Sequence, residues 1–484
     1  MLAPDLAIIG GGPAGISLAL ALASTKLNIL LLESGGANFD PQNQKMYAGS
    51  QSGLSYIALD AGRLRFLGGS TNHWGGWCRP LDEIDFEARD WMPYSGWPFP
   101  KKALLPYYPR AQALVEAGPW LYDKAGSSIT TLGPLLPLAD GGVYTSWFQF
   151  SKTRDSELPT YFGHRYEGEL KRAPKVTPLL GANVTGIRLS ANGQQVDRLD
   201  VATLTGKRFA VKPRVTILAA GGMENARLLL ASNDVMKSGV GNQNDLVGRF
   251  FADNPTPRDV ATLVSFAGPL APYYGTNQKL TNGPILKAAF APTQAFGRAK
   301  QVAGSLTTVE QPVDLDDTGK AAVITTALAL GVDASKASAY SLGCGMELSP
   351  DPERRLTLTD EKDALGLPRL KLNMRMAEKD FTLYHQTLRE LGRQLLASGT
   401  GMLKINRRED WSKSMDWGNH HLGTTRMHDD PKQGVVNADG QVHGVNNLYV
   451  AGSSVFPTYG ASNPTLNLIA LTLRLADHLK KVVA

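Results

Sequence analysis

Histidine is scarce in this 484-residue chain, eight in all, and two of the eight stand together in Gly418-Asn419-His420-His421-Leu422-Gly423-Thr424-Thr425-Arg426-Met427. A neutral imidazole, whose ordinary pKa is about 6.5, is suited to taking the proton of a hydroxyl near neutrality. If the segment is extended, neighbouring rings point to opposite sides, so His420 and His421 serve different environments. His428 follows closely, but no acidic or cysteine ligand at suitable spacing joins the three into a metal centre. A further histidine, His73, lies in the run Arg63 to Cys78, which holds four glycines and the tryptophans Trp74 and Trp77. Glycines there let the backbone approach something flat or large and tryptophans can wall it, the plain alternative being a packed irregular loop. Asn463 precedes Pro464, so its amide either orients a ligand hydroxyl or caps the helix that follows. Cys78 reads as a small buried residue.

The elements that must position these groups begin at the N-terminus. Asp5 to Ile9 is an apolar run suited to a buried parallel strand, and Gly10, Gly12 and Gly15 follow in G-x-G-x-x-G spacing. Gly10 permits the tight turn, Gly12 lets a pyrophosphate approach the backbone, and Gly15 lets the helix lie close to the sheet. The helix offers its first amides to phosphate, a second strand runs from Asn28 to Leu32, and Glu33 stands where an acid accepts hydrogen bonds from ribose hydroxyls. Strand, phosphate turn, helix, strand and acid together predict dinucleotide binding, and no second fingerprint exists for a separate NAD unit.

Further along, Ala37 to Leu59 reads as a loop or lid, and 82–125 as an excursion with helical spacing near Leu104 to Val115. Glu167 to Ala173 is expected to be a short helix, and Val176 to Ile187, Val196 to Val211 and Val215 to Ala220 to be strands. Gly221-Gly222 then lead into a helix from Asn225 to Ala231. Between Val260 and Ile405 the strand candidates include Val323 to Leu328 and a pair, Leu356 to Thr359 with Leu370 to Met374, around Gly366. Alternation there favours an antiparallel sheet with one wet face, and Phe381 to Ala397 reads as a helix. Asn447 to Ala451 is a strand ending in Gly452-Ser453-Ser454, and Thr465 to Leu479 is a long helix with an apolar stripe.

Composition, 43% hydrophobic and 19% charged, is that of a globular protein with room for two or three domains. The net charge of +6 is scattered, with no basic run longer than a pair, which excludes a nucleic-acid footprint. Two cysteines, Cys78 and Cys344, leave no disulfide framework or C-x-x-C motif. No apolar stretch reaches the roughly 20 residues needed to span a bilayer, so membrane insertion is not expected. Ala21-Leu22-Ala23 imitates a signal-peptidase site, yet no basic segment precedes it and Asp5 interrupts the run. A cytoplasmic location is expected, and export with a signal-bearing partner would leave no mark.

Five motifs in order, the N-terminal fingerprint, Gly68-Gly69-Ser70-Thr71-Asn72-His73-Trp74, Ala220-Gly221-Gly222-Met223-Glu224-Asn225, His420-x-x-Gly423-Thr424-x-Arg426-Met427 and Ala461-Ser462-Asn463-Pro464-Thr465, resemble the glucose-methanol-choline (GMC) oxidoreductases, nearest their pyranose oxidase and bacterial sugar dehydrogenase branch. The resemblance implies an α/β fold, with a discontinuous Rossmann-like FAD-binding domain (1–81, 165–259, 415–484) and a substrate domain (82–164, 260–414) built on an antiparallel sheet flanked by helices. It implies FAD held by Gly10, Gly12, Gly15, Glu33, Gly68, Gly69, Ser70, Asn72, His73, Trp74, Gly75, Val184, Gly452, Ser453, Asn463 and Thr465. Ser453 stands where many flavoproteins place an aspartate. His420 becomes the catalytic base and Asn463 the second active-site residue, for hydride transfer from a sugar or glycoside hydroxyl to the flavin. His73-Trp74 has the offset of a histidine that some relatives bond covalently to FAD, but the Thr-Asn-His-Trp context differs, and non-covalent packing is favoured. If the long last helix points its N-terminus at the flavin's pyrimidine edge, its dipole favours negative charge there. Oxygen, another acceptor or an electron-transfer subunit takes the electrons. Oxidation of a non-sugar alcohol, and a non-redox lyase on the same scaffold, are the alternatives. The loops around Tyr273 and Tyr274 and the excursion from Asp82 are expected to set substrate choice.

Overall fold

The computed structural model describes residues 2–123, 132–152, 158–281 and 283–483; the end of the expected excursion, 124–125, lies outside them. The chain opens with strand β1 (Leu6–Ile9), helix α1 (Pro13–Leu22) and strand β2 (Ile29–Leu32). Strands β3 (Val176–Leu179), β4 (Val215–Leu218) and β5 (Leu448–Val450) complete a five-stranded parallel sheet in the order β5-β4-β1-β2-β3. All four residues of β1 are buried, as a strand covered on both faces requires. Gly15 packs α1 onto the turn: a Cβ there would collide with the Gly10 carbonyl oxygen. Gly10 is at φ 110°, and a Cβ on it would lie 2.5 Å from the Ala219 oxygen at the end of β4. Helix α2 (Gly222–Ala231) starts just beyond the end of β4, helix α3 (Glu378–Ala397) follows later in the chain, and helix α4 (Pro464–Val482) comes after β5 and an intervening loop.

A larger sheet of eight strands, antiparallel throughout, stands beside the parallel one; seven run in the order 401–405, 261–265, 338–346, 305–312, 285–292, 143–150 and 77–78, and 278–279 pairs with 285–292 off that path. Leu286, Ala288, Phe290, Val309 and Leu342 on one face share a core with Tyr384, Leu388, Leu391 and Leu395 of α3. The opposite face carries Phe148, Phe150, Ala289, Ala291 and Leu306. The molecule is therefore α/β, a Rossmann-like sheet with an antiparallel sheet covered by a helix.

Several elements differ from the expectations. Val323 to Leu328 is not a strand but the middle of a helix, Asp317–Leu330, whose start is fixed by Asp316 accepting from the Gly319 amide. Only Val323 and Ala327 of this helix are buried, a spacing of four that the apolar run concealed. Ala37 to Leu59 is not all loop: Ser50–Gly53 pairs in parallel with Pro368–Met374, the second strand of the 355–374 hairpin. That hairpin forms a separate three-stranded sheet, and Arg227 of α2 bonds to it through Pro368 O and Asp363. Tyr273 and Tyr274 are fully buried in the α3 core and do not reach the cavity described below.

Gly15→Ala has no room for its methyl group and is expected to cost about 3 kcal/mol, read as a lower urea midpoint. Leu328→Lys, at a position 76% exposed, is expected to stay within about 0.5 kcal/mol of wild type.

Candidate active site

Both sheets contribute to one cavity of about 1100 Å³. It begins at Gly10, Gly12 and Glu33, where α1 presents an N-terminus with no side-chain cap, and a Cβ on Gly12 would meet nothing within 4 Å. Open space at that glycine, beside free first-turn amides, fits an anionic group brought close to the backbone. Glu33 is buried and holds the turn, accepting from Gly11 N and Gly35 N, both at 2.7 Å. Gly69, Ser70, His73, Trp74 and Gly75 line the middle together with Val184, Gly452 and Ser453. Trp74 is fixed by its indole N–H donating to Thr160 O at 3.2 Å. Ser453 Oγ donates to His421 O at 2.8 Å, so it ties the end of β5 to the histidine segment.

Three expected contacts do not line the cavity. Gly15 and Gly68 act through backbone packing, the latter at φ 97° with no space for a Cβ beside Gly163 N. Asn72 turns its amide into its own loop, donating to Leu67 O and Gly69 O.

At the far end, His420, Asn463 and Thr465 come together although 43 residues separate the first two in sequence. Asn254 donates through its amide nitrogen to Met346 O at 2.9 Å and Gly460 O at 3.3 Å. Its oxygen therefore faces His420 Nδ1, 2.8 Å away, and must accept. The proton of a neutral His420 is thereby placed on Nδ1, leaving Nε2 as the acceptor. Nε2 lies 3.1 Å from the amide nitrogen of Asn463. Asn463 occupies the N-cap position of α4, but its side chain makes no capping bond there. Below, buried Asp253 accepts from His420 N at 2.8 Å and from the Tyr56 hydroxyl at 2.5 Å.

Burial pushes the His420 pKa down to about 4 and that of His421 to about 3, while burial pushes the Asp253 carboxyl up to about 7. His421 packs against Phe251 and Tyr56 and also lines the cavity. His428 takes no part in the group, its Nδ1 accepting from Asp430 N. His73 faces the cavity, and partial burial lowers its pKa.

The sequence reading missed Asp253, Asn254 and Tyr56, and it missed a set of buried arginines. Arg63, Arg65 and Arg227 surround Glu224 at 3.1–3.7 Å and line the cavity near Tyr47. Burial opposes the charge of Glu224, but Arg227, Arg63 and Arg65 outweigh it and hold the carboxyl below its ordinary range. The arginines of Arg63-Leu64-Arg65 were visible in the sequence; their shared acid, 160 residues on, was not.

Residues 350–472 match the family described as GMC oxidoreductase. That stretch, about a quarter of the chain, is the part that carries the family's sequence pattern. It is 24% identical to 2-methyl-1,2-propanediol dehydrogenase of Mycolicibacterium austroafricanum, over 99% of this chain and 95% of that protein. It is 25% identical to the fructose dehydrogenase large subunit of Gluconobacter japonicus, over 98% and 97% of the two chains. The solved structure of pyridoxine 4-oxidase from Mesorbium loti shares the fold, with a TM-score of 0.61 and 19% identity over 99% of each chain. Both relatives are named as dehydrogenases and the solved structure as an oxidase.

His420 and His421 have folded-state pKa values below the ordinary 6.5. Their contribution to stability is complete above about pH 6.5 and is lost as pH falls toward 4. The unfolding midpoint is expected to drop over that interval, and Asn254→Asp, which sets a carboxylate against Nδ1–H, is expected to raise the His420 titration by about one pH unit or more. NMR titration of the imidazole checks the second outcome.

Proposed function

We propose that this enzyme binds FAD along the cavity and oxidises a secondary hydroxyl of a pyranose sugar or glycoside to the ketone. The observation that carries the reading is the continuity of one cavity from the N-terminus of α1 to His420 and Asn463. In this reading the ADP half lies over Gly10, Gly12 and Glu33, and the ring end reaches the His420–Asn463 pair. Bound FAD supplies the two-electron acceptor for the substrate's hydride. A hydroxyl that displaces the Asn463 amide from Nε2 donates to Nε2 and accepts from the displaced amide. Proton transfer to Nε2 leaves an alkoxide, which releases hydride far more readily than an alcohol does. Asn254 keeps the ring in the competent tautomer throughout, since its oxygen holds the Nδ1 proton. Pro464 and Thr465 bring the start of α4 to the cavity, where the positive end of the helix favours negative charge.

A sugar suits the polar residues at the cavity's substrate end, Arg258, Asp259, Thr308 and Gln311 among them, and a full-length relative is named for fructose. That relative is a large subunit, which supports a partner subunit or dye, rather than oxygen, as acceptor. The full-length likeness to a diol dehydrogenase favours a second reading, a small non-sugar alcohol. No described helix is long and apolar enough to cross a membrane.

Anaerobic mixing with a panel of pyranoses, glycosides and short diols is expected to bleach a yellow protein with at least one pyranose. Bleaching by diols alone selects the second reading, and a flavin that nothing reduces overturns both. His420→Ala is expected to keep its FAD and lower kcat by about 10²–10⁴. The acid limb of kcat/KM is expected near pH 4 rather than 6.5, following the depressed imidazole. Acid precipitation is expected to release all colour to the supernatant, as a non-covalent cofactor requires.

A further inference from the structure

The antiparallel sheet turns toward the cavity a face that the chemistry above does not use. Trp77 pairs with Phe150, Ile285 with Phe150 and Lys287 with Phe148, so their side chains share one face. Phe290 pairs with Thr307, and Lys287 and Glu310 each lie three residues from that pair, at facing positions on the same side as Trp77. Trp77, Lys287 and Glu310 all line the cavity that contains His420 and Asn463.

The next strand, Ser338–Met346, leaves this face hollow. A Cβ on Gly343 would collide with the Glu310 carboxylate, so the glycine makes the space in which that carboxylate lies. Gly345, also on the cavity wall, would meet only Ala461 O at 4.0 Å. On the other side Lys287 Nζ stands 5.5 Å from the centre of the Trp77 ring, which Phe148 and Phe150 hold at 4.8 and 4.7 Å. Among the described residues no hydrogen bond joins Lys287 to Glu310. Burial lowers the pKa of Lys287 and raises that of Glu310, so each lacks part of the solvation that a polar ligand would restore.

An aromatic face beside a paired donor and acceptor suits a ligand whose ring has an apolar C–H face and an edge of adjacent hydroxyls, each hydroxyl able to donate and accept. We infer that Trp77, Lys287 and Glu310 form a carbohydrate subsite that grips the pyranose away from its reacting carbon, the indole covering a C–H face while Lys287 and Glu310 bracket two adjacent hydroxyls. This rests on the sugar reading proposed above and names the residues that make the enzyme prefer a sugar ring to a small diol. A short diol fills only the space at His420 and Asn463 and does not reach the subsite.

The test uses the FAD-loaded enzyme in anaerobic stopped flow, which separates the Kd of the reductant from the limiting rate of flavin reduction. The probes are the pyranose that reduces the protein fastest, its monodeoxy analogues and 1,2-propanediol. Lys287→Met and Glu310→Gln are expected to raise Kd for the pyranose about tenfold to a hundredfold, with the limiting rate within about threefold of wild type. Kd for the diol is expected to stay unchanged, and discrimination against the two deoxy sugars that lack the bracketed hydroxyls is expected to collapse. Lys287→Arg, which keeps the donor, is expected to recover part of the affinity. An unchanged pyranose Kd in both variants overturns the subsite while leaving the sugar reading intact. Equal losses for pyranose and diol assign the residues to folding of the cavity and also overturn it. A wild-type protein that no pyranose reduces removes the underlying reading and the subsite with it.

Discussion

The side-chain amide of Asn254 is the constraint on which the His420 end of the cavity depends. Its nitrogen is committed to the carbonyls of Met346 and Gly460, one at the end of a strand of the antiparallel sheet and the other in the approach to α4. Its oxygen is then left for His420. One planar group thus fixes three segments distant in sequence and decides which imidazole nitrogen has a lone pair to offer. An amide can do this because its two ends are chemically different and it carries no charge that would drive the buried imidazole to its cationic form.

Around that amide, buried charges are used where several main-chain donors need one acceptor. Glu347 takes a bidentate pair from Arg89 at 2.8 Å and also accepts from Gly304 N, Tyr459 N and Gly460 N. A carboxylate so fully satisfied can stay ionised when buried, and it pins the segment leading to Asn463. Glu224 draws Arg63, Arg65 and Arg227 into another wall of the cavity. Close packing at glycine supplies the rest. A side chain at Gly222 would strike the His421 carbonyl and one at Gly423 the Phe250 carbonyl, so the histidine segment is wedged between α2 and the chain before Asp253.

How much of this was legible in the sequence depended on the range of the interaction concerned. The β1–α1–β2 unit and Glu33 were readable because strand period, glycine spacing and the acid lie within 30 residues and answer to local geometry. The hairpin around Gly366 and helix α3 were readable for the same reason. Val323 to Leu328 was misread because a short apolar run satisfies strand and helix alike, and the deciding residue was the cap at Asp316. Ser50–Gly53 was missed because its partner strand lies more than 300 residues away and the segment itself has no apolar face.

The sequence by itself determined the dinucleotide turn, the layered α/β class and the identities of His420 and Asn463 as candidates, since each is carried by residue type at fixed short spacing. Only the tertiary structure decided that Asn463 faces His420 instead of capping α4, that Asn254 sets the tautomer, and that His421 packs against Phe251. It also decided that the wall facing the histidine carries Lys287 and Glu310 while Tyr273 and Tyr274 are buried in the core behind. The placement of Lys287 and Glu310 depends on which strands become neighbours and on which face of each strand is turned inward. A shift of one residue in register would reverse every one of those faces without altering any local signal in the chain.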